Sequence, residues 1–241
     1  MSRIAKRFEE LRGRREGALV PFLVAGDPDP GRSLEVAAAV AEHADVLELG
    51  IPFSDPVADG KVNEMAYLRA LRHGAFMPQV LELAAALRRR SQVPLVLMTY
   101  YNPVLQFGLG RFAAEAAGAG VDGVLVTDLP PEEAGPWQAA AGQAGLDTIY
   151  LVAPTSSPRR IQLAAEAASG YVYCVSRTGV TGARAELPAE LGETVRGVRR
   201  HTAKPLVVGF GISTPEQVRA VCGLADGAVV GSALVAARTA A

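Results

Sequence analysis

The stretch GVLVTDLPPEEAGPWQAAAGQAGLDTIYLVAP, residues 123–154, decides the fold. Two short apolar runs, GVLVTD (123–128) and TIYLVAP (148–154), flank a helical segment, PEEAGPWQAAAGQAG (131–145). The runs are hydrophobic almost without alternation, as expected for parallel strands covered on both faces. The same reading extends outward. ALVPFLVAG (18–26), DVLELG (45–50) and PLVLMTY (94–100) precede this unit, and YVYCVS (171–176), PLVVGFG (205–211) and GAVVG (227–231) follow it. Helical patterns lie between them at 31–43, 63–74, 77–91, 110–120, 157–170, 189–202 and 214–225. Pro131, Pro158 and Pro215 mark helix starts, where a missing N–H costs little. Strand–helix repeated eight times predicts an α/β fold of the closed (β/α)8 TIM-barrel type. An open doubly wound sheet is disfavoured, because AGDPDPGRS after the first strand is not GxGxxG.

The helix IAKRFEELRGRR (4–15) is an extra N-terminal element, placed to plug the bottom of the barrel. Only ALVAARTAA follows Ser232, which reads as a shortened C-terminal end. No linker or composition shift divides the chain, so residues 1–241 are expected to form a single barrel domain. There are 24 basic and 25 acidic residues, a net charge of −1, which argues against a broad nucleic-acid surface. No apolar run has the length of a membrane span, and the charged opening is no signal peptide; a soluble cytoplasmic protein is expected. Cys174 and Cys222 sit in apolar contexts and read as small buried hydrophobes. His43, His73 and His201 lack ligand spacing, so no metal site is expected.

In such a barrel the chemistry lies at the C-terminal ends of the strands. Glu48 stands inside the apolar run VLELGIP. A buried carboxylate is costly without partners or a task, so it is either satisfied structurally or functional. Burial should raise its pKa, which suits a group that gives and takes a proton. The following loop, GIPFSDPVADGK (50–61), is long and polar. Turn chemistry alone accounts well for Asp55 and less well for Asp59, which can face Glu48 across the mouth. Glycine-bearing loops at 176–190, 209–214 and 231–233, with Ser232 at a helix N-terminus, form a phosphate signal built from backbone N–H groups. Tyr100, Tyr101 and Asn102 end the third strand; with Tyr173, Phe22 and Phe210 they can line a pocket for a flat ring. Ordinary barrel core is the alternative, and it suits Tyr171 better than Tyr173.

LELGIPFSDPVADG, LMTYYNPV, GVDGVLVTDLPPEE, APTSSPRRI, YVYCVSRTGVTGA, VGFGISTPEQV and VVGSALV together resemble the tryptophan synthase alpha chain family, in register from about Ala18 to Val235. The resemblance implies a lyase that splits indole-3-glycerol phosphate into indole and glyceraldehyde 3-phosphate in tryptophan biosynthesis. It implies Glu48 as proton shuttle and Asp59 as the group that binds the indole N–H. It implies Gly182, Gly211, Gly231 and Ser232 at the phosphate, and Phe22, Tyr100, Tyr173, Thr181 and Phe210 in the pocket. It further implies an alpha2-beta2 heterotetramer with a beta chain met by Asp55, Pro56 and Asp128. No metal or organic cofactor is implied in this subunit, pyridoxal phosphate belonging to the beta chain. A stand-alone lyase and a weakly active allosteric partner of a beta chain are alternatives within the family. A phosphosugar epimerase is disfavoured, because metal-ligating histidines are missing from the strand ends. The chain departs from the family pattern at Lys61-Val62-Asn63-Glu64, where Pro, a β-branched or apolar pair and Gln are common, and at Val24, where Thr is frequent.

Overall fold

The computed structural model describes residues 1–176, 187, 189–209 and 211–239. Eight parallel strands close a barrel in chain order: β1 (Ala18–Val24), β2 (Leu47–Gly50), β3 (Leu95–Thr99), β4 (Gly123–Val126), β5 (Asp147–Val152), β6 (Val172–Val175), β7 (Leu206–Gly209) and β8 (Gly227–Val230). Around them run α1 (Arg3–Arg14), α2 (Pro30–Ala41), α3 (Lys61–Arg72), α4 (Met77–Arg90), α5 (Tyr101–Phe107), α6 (Leu109–Gly118), α7 (Gly135–Ala144), α8 (Pro158–Ala167), α9 (Leu191–Arg199), α10 (Pro215–Cys222) and α11 (Ser232–Thr239). The TIM-barrel expectation is met. Among the described residues no helix is long and apolar enough to cross a membrane.

The uniformly apolar strands separate into two cores once the barrel closes. Val20, Phe22, Val24, Val96, Met98 and Val207 face the interior. Leu23, Leu47, Leu49, Leu95, Leu97 and Val208 pack outward against the helices. α1 contributes Ile4, Phe8 and Leu11 to the inner core, and the Phe8 ring lies 5.8 Å from that of Tyr171. The N-terminal helix therefore seals the barrel floor.

Two readings of the chain are corrected. Tyr101 and Asn102 do not end β3; they open α5, whose first N–H is taken by the Asp128 carboxylate at 2.7 Å. Pro131 does not start a helix. It lies in a turn in which Glu133 and Ala134 donate to Pro130 and Pro131, and α7 begins at Gly135 with Pro136 in its first turn. Pro158 and Pro215 do open α8 and α10.

The N-terminal rim carries a repeated clasp. Asp45, Asp122 and Asp226 stand just before β2, β4 and β8. They accept the backbone N–H of Leu19, Leu95 and Leu206 at the starts of β1, β3 and β7. Arg7, Arg88 and Arg199 hold these carboxylates in turn. Between β5 and β6 the Ser169 hydroxyl plays the same part for Thr148 N–H at 2.9 Å. Asp122 is the most heavily used, since Arg3 and Arg88 both pair with it. Asp122→Ala leaves the part-buried Arg88 guanidinium with backbone carbonyls but no balancing carboxylate, and leaves the Leu95 N–H without its acceptor. It is expected to cost about 3 kcal/mol or more, seen as a fall of roughly 6–12 °C in Tm by calorimetry.

Candidate active site

Glu48 pairs in register with Phe22 on β1 and Val96 on β3, and its side chain is fully buried. The Tyr171 hydroxyl donates to Glu48 Oε1 at 2.5 Å. Oε2 has no hydrogen-bond partner among the described residues. Burial pushes the carboxyl up to about 7, against the opposing pull of the Tyr171 hydrogen bond. The raised value expected from sequence is thus present, and its cause is desolvation. Tyr171 is more than barrel core, because among the described residues its hydroxyl is the donor to Glu48.

Asp59 closes the loop after β2, immediately before the N-cap Gly60 of α3. It is 7 % exposed. The Asn63 side-chain amide donates to Oδ1 at 2.9 Å and the Tyr100 hydroxyl to Oδ2 at 2.7 Å. Tyr67 donates a third hydrogen bond. Burial raises the Asp59 pKa, and the three donors oppose that rise. The N-terminal end of α3 adds a dipole that also favours the anion. Tyr67 and Tyr173 each lie within electrostatic reach of both carboxylates, so Glu48 and Asp59 share one interior space.

Phe22 and Tyr173 belong to the inner core and face this space. Tyr100 is buried, stacks at 5.3 Å from Phe53, and accepts the Ala58 N–H at 3.1 Å, so one phenol ties down both ends of the loop. Gly50 must lack a side chain. A Cβ there would stand 2.7 Å from the Phe22 ring and 2.9 Å from the Tyr67 hydroxyl.

On the far side, the pairing of Val207 with Gly227 and Val208 with Ala228 brings the ends of β7 and β8 side by side. Gly211 (φ +90°) follows β7, and Gly231 and Ser232 join β8 to α11. Thr181, Gly182 and Phe210 lie outside the described residues. Asp55 is exposed beside the half-buried Pro56, next to Val57, which is 78 % exposed. Asp128 is also exposed and reaches the neighbouring strand end through Tyr101 N–H. The three histidines are exposed, and among the described residues no cluster of His, Cys, Asp and Glu could hold a metal. Cys174 is buried as expected, but Cys222 is only partly so.

Tyr67, Asn63 and Tyr171 are site residues that the sequence reading does not single out. For the first two a signal exists: positions 59, 63 and 67 are spaced by four and lie along one helical face. For Tyr171 there is none, because its partner is 123 residues away.

The tryptophan synthase alpha chain family model matches residues 8–240. Over 236 residues the chain is 52% identical to the tryptophan synthase alpha chain of Geobacter sulfurreducens, covering 98% of this chain and 89% of that one. Its structure resembles Mycobacterium tuberculosis tryptophan synthase with a TM-score of 0.94 and 38% identity, covering 100% of this chain and 92% of that chain. It resembles the alpha subunit from Legionella pneumophila with a TM-score of 0.89 and 41% identity, covering 98% and 88% of the two chains. With a match that runs through every strand of the barrel, the chain belongs to the tryptophan synthase alpha chain family.

Proposed function

We propose that in the cleavage of indole-3-glycerol phosphate to indole and glyceraldehyde 3-phosphate by this chain, Glu48 is the proton shuttle and Asp59 the anchor of the indole nitrogen. The observation that carries this assignment is the contrast between the two buried carboxyl groups. Among the described residues Glu48 has one donor, and burial pushes it up to about 7; Asp59 has three donors at the start of a helix. Burial with a single donor favours the protonated carboxyl group, whereas added donors favour the ionised one, so the two environments suit different roles.

The chemistry needs that division. Protonated Glu48 delivers its proton to indole C3, which becomes tetrahedral and leaves a positive charge shared with the ring nitrogen. Ionised Asp59 accepts the indole N–H and stabilises that charge. Glu48, now a carboxylate, takes the proton of the glycerol C3′ hydroxyl. The C3′ oxygen forms a carbonyl, the C3–C3′ bond breaks, and its electron pair restores the indole ring. Glu48 Oε2 suits the exchange, since among the described residues it has no partner to give up. Phe22, Tyr100 and Tyr173 form the wall for the indole ring, and Gly211, Gly231 and Ser232 offer N–H groups and a hydroxyl to the phosphate, at a place where these barrels often bind it. The same two roles are assigned to Thr181 and Phe210, and to Gly182, from the family resemblance alone.

The reaction so written uses only side chains and backbone of this subunit; pyridoxal phosphate is assigned to the beta chain. Asp55, Pro56, Val57 and Asp128 at the mouth are the contact surface for that beta chain in an alpha2-beta2 heterotetramer, and the location is cytoplasmic. Indole is apolar and leaks across membranes, so direct transfer between subunits conserves it. Indole release from indole-3-glycerol phosphate, measured with and without added beta chain, tests the assignment. Turnover that rises roughly tenfold or more on adding the beta chain is expected, corresponding to an activation barrier lowered by about 1.4 kcal/mol or more. Full activity alone, with no response to the beta chain, would overturn the partner assignment.

A further inference from the structure

We propose that Asn63 and Tyr67 are positioning residues of the reaction: with Tyr100 they hold the Asp59 carboxylate so that one acceptor direction is left for the indole N–H. The inference rests on the reading of Asp59 as the indole anchor.

An ionised carboxylate offers about four acceptor sites. Among the described residues three are used, by the Asn63 amide, the Tyr100 hydroxyl and the Tyr67 hydroxyl. Two of these donors come from one face of α3, and Asn63 and Tyr67 are 3 % and 1 % exposed. A polar group so deeply buried is costly unless its partner is specific. Here both point to the same carboxylate, from successive turns of a helix whose N-terminus starts beside it. A packing role alone would be met by apolar side chains. The consequence is a nitrogen site set before substrate arrives, because its geometry is fixed by a helix and not by a loop alone.

Among the described residues the groups facing Asp59 are Glu48 from β2, Tyr100 from the end of β3, Tyr173 from β6, and Asn63 and Tyr67 from α3. Lys61 and Glu64 pair with each other on the exposed side of α3. All the donors to Asp59 favour its ionised form. Removing one raises its pKa, and the acid limb of the rate profile moves to higher pH.

The test uses Asn63→Leu, Tyr67→Phe and Asp59→Asn in the complex with the beta chain, with kcat and KM for indole-3-glycerol phosphate measured across pH. Each loss of a donor is expected to move the acid limb of kcat upward by about one pH unit. The rate on the acid side then falls roughly tenfold, and it recovers toward neutral pH with little change in KM. A merely structural role would lower Tm or kcat evenly across pH and leave the limb in place. Tyr67→Phe removes a single hydroxyl and carries the test should Asn63→Leu fail to fold. An unmoved limb in the folded variants, alongside an inactive Asp59→Asn, would overturn the proposal. A fully active Asp59→Asn would instead overturn the reading of Asp59 on which it rests.

Discussion

Glu48→Gln is expected to lower kcat for indole release by roughly 10²–10⁴-fold, the range supplied by a positioned general acid–base group. Substrate binding should persist, because the phosphate and ring contacts are assigned to other residues. The amide keeps the shape of the carboxyl group and can still accept from Tyr171, but it can neither give nor take the proton. The same variant should be more stable at alkaline pH. Glu48 is raised from 4.5 to about 7 in the folded protein. Its carboxyl group therefore favours folding most fully below about 4.5, and that contribution is lost as pH rises through about 7. Above pH 7 the charged side chain costs folding about 3 kcal/mol, from roughly 2.5 pH units at 1.36 kcal/mol each. The Gln side chain removes this cost. Urea unfolding at pH 8 should show Glu48→Gln to be the more stable protein, while at pH 4 the two should nearly coincide. For the wild type, kcat/KM should fall as pH rises through about 7, as the acid form of Glu48 is lost. A Glu48→Gln protein with wild-type turnover would exclude Glu48 from the proton transfers.

Asp59→Asn should lower kcat by roughly 10²–10³-fold, the scale found when one preorganised electrostatic group is removed from a transition state. The loss differs in kind from that at Glu48. The substituted amide is neutral and cannot balance the positive charge that develops on the indole nitrogen. It must also turn its single oxygen toward either the indole N–H or the buried donors Asn63, Tyr67 and Tyr100, and it cannot accept from all of them. Ground-state affinity should weaken less than kcat, because the charge exists only after C3 is protonated. Stopped-flow binding and steady-state rates separate the two quantities. A loss confined to affinity, with unchanged kcat, would make Asp59 a substrate-binding residue with no part in charge stabilisation.

The barrel was legible because each strand is a short apolar run and each connection a helical pattern; the hydrophobic effect then favours a closed parallel sheet under helices. Asn63 and Tyr67 were within reach of the spacing argument, since their partner lies four and eight positions away on the same helical track. Tyr171 was not, because a phenol in an apolar strand has the same signature whether it packs or donates. The start of α5 was hidden for a similar reason: its first N–H is met by Asp128, on the next strand's loop.

The chain by itself determined eight strands in order, an added helix at the floor, and two carboxyl-bearing positions in the segment LELGIPFSDPVADG. These rest on local pattern, which a chain carries whatever surrounds it. Only the tertiary structure decided which strand residues face inward, because burial on both faces erases the period of two that would mark them. Closure with Phe22 beside Glu48 turned one apolar set toward the interior and the other toward the helices. It also brought Tyr171 to Glu48 and Tyr100 to Asp59. The proton affinity of each carboxyl group follows from its desolvation and its donors, and both are assembled from distant parts of the chain only when the barrel closes.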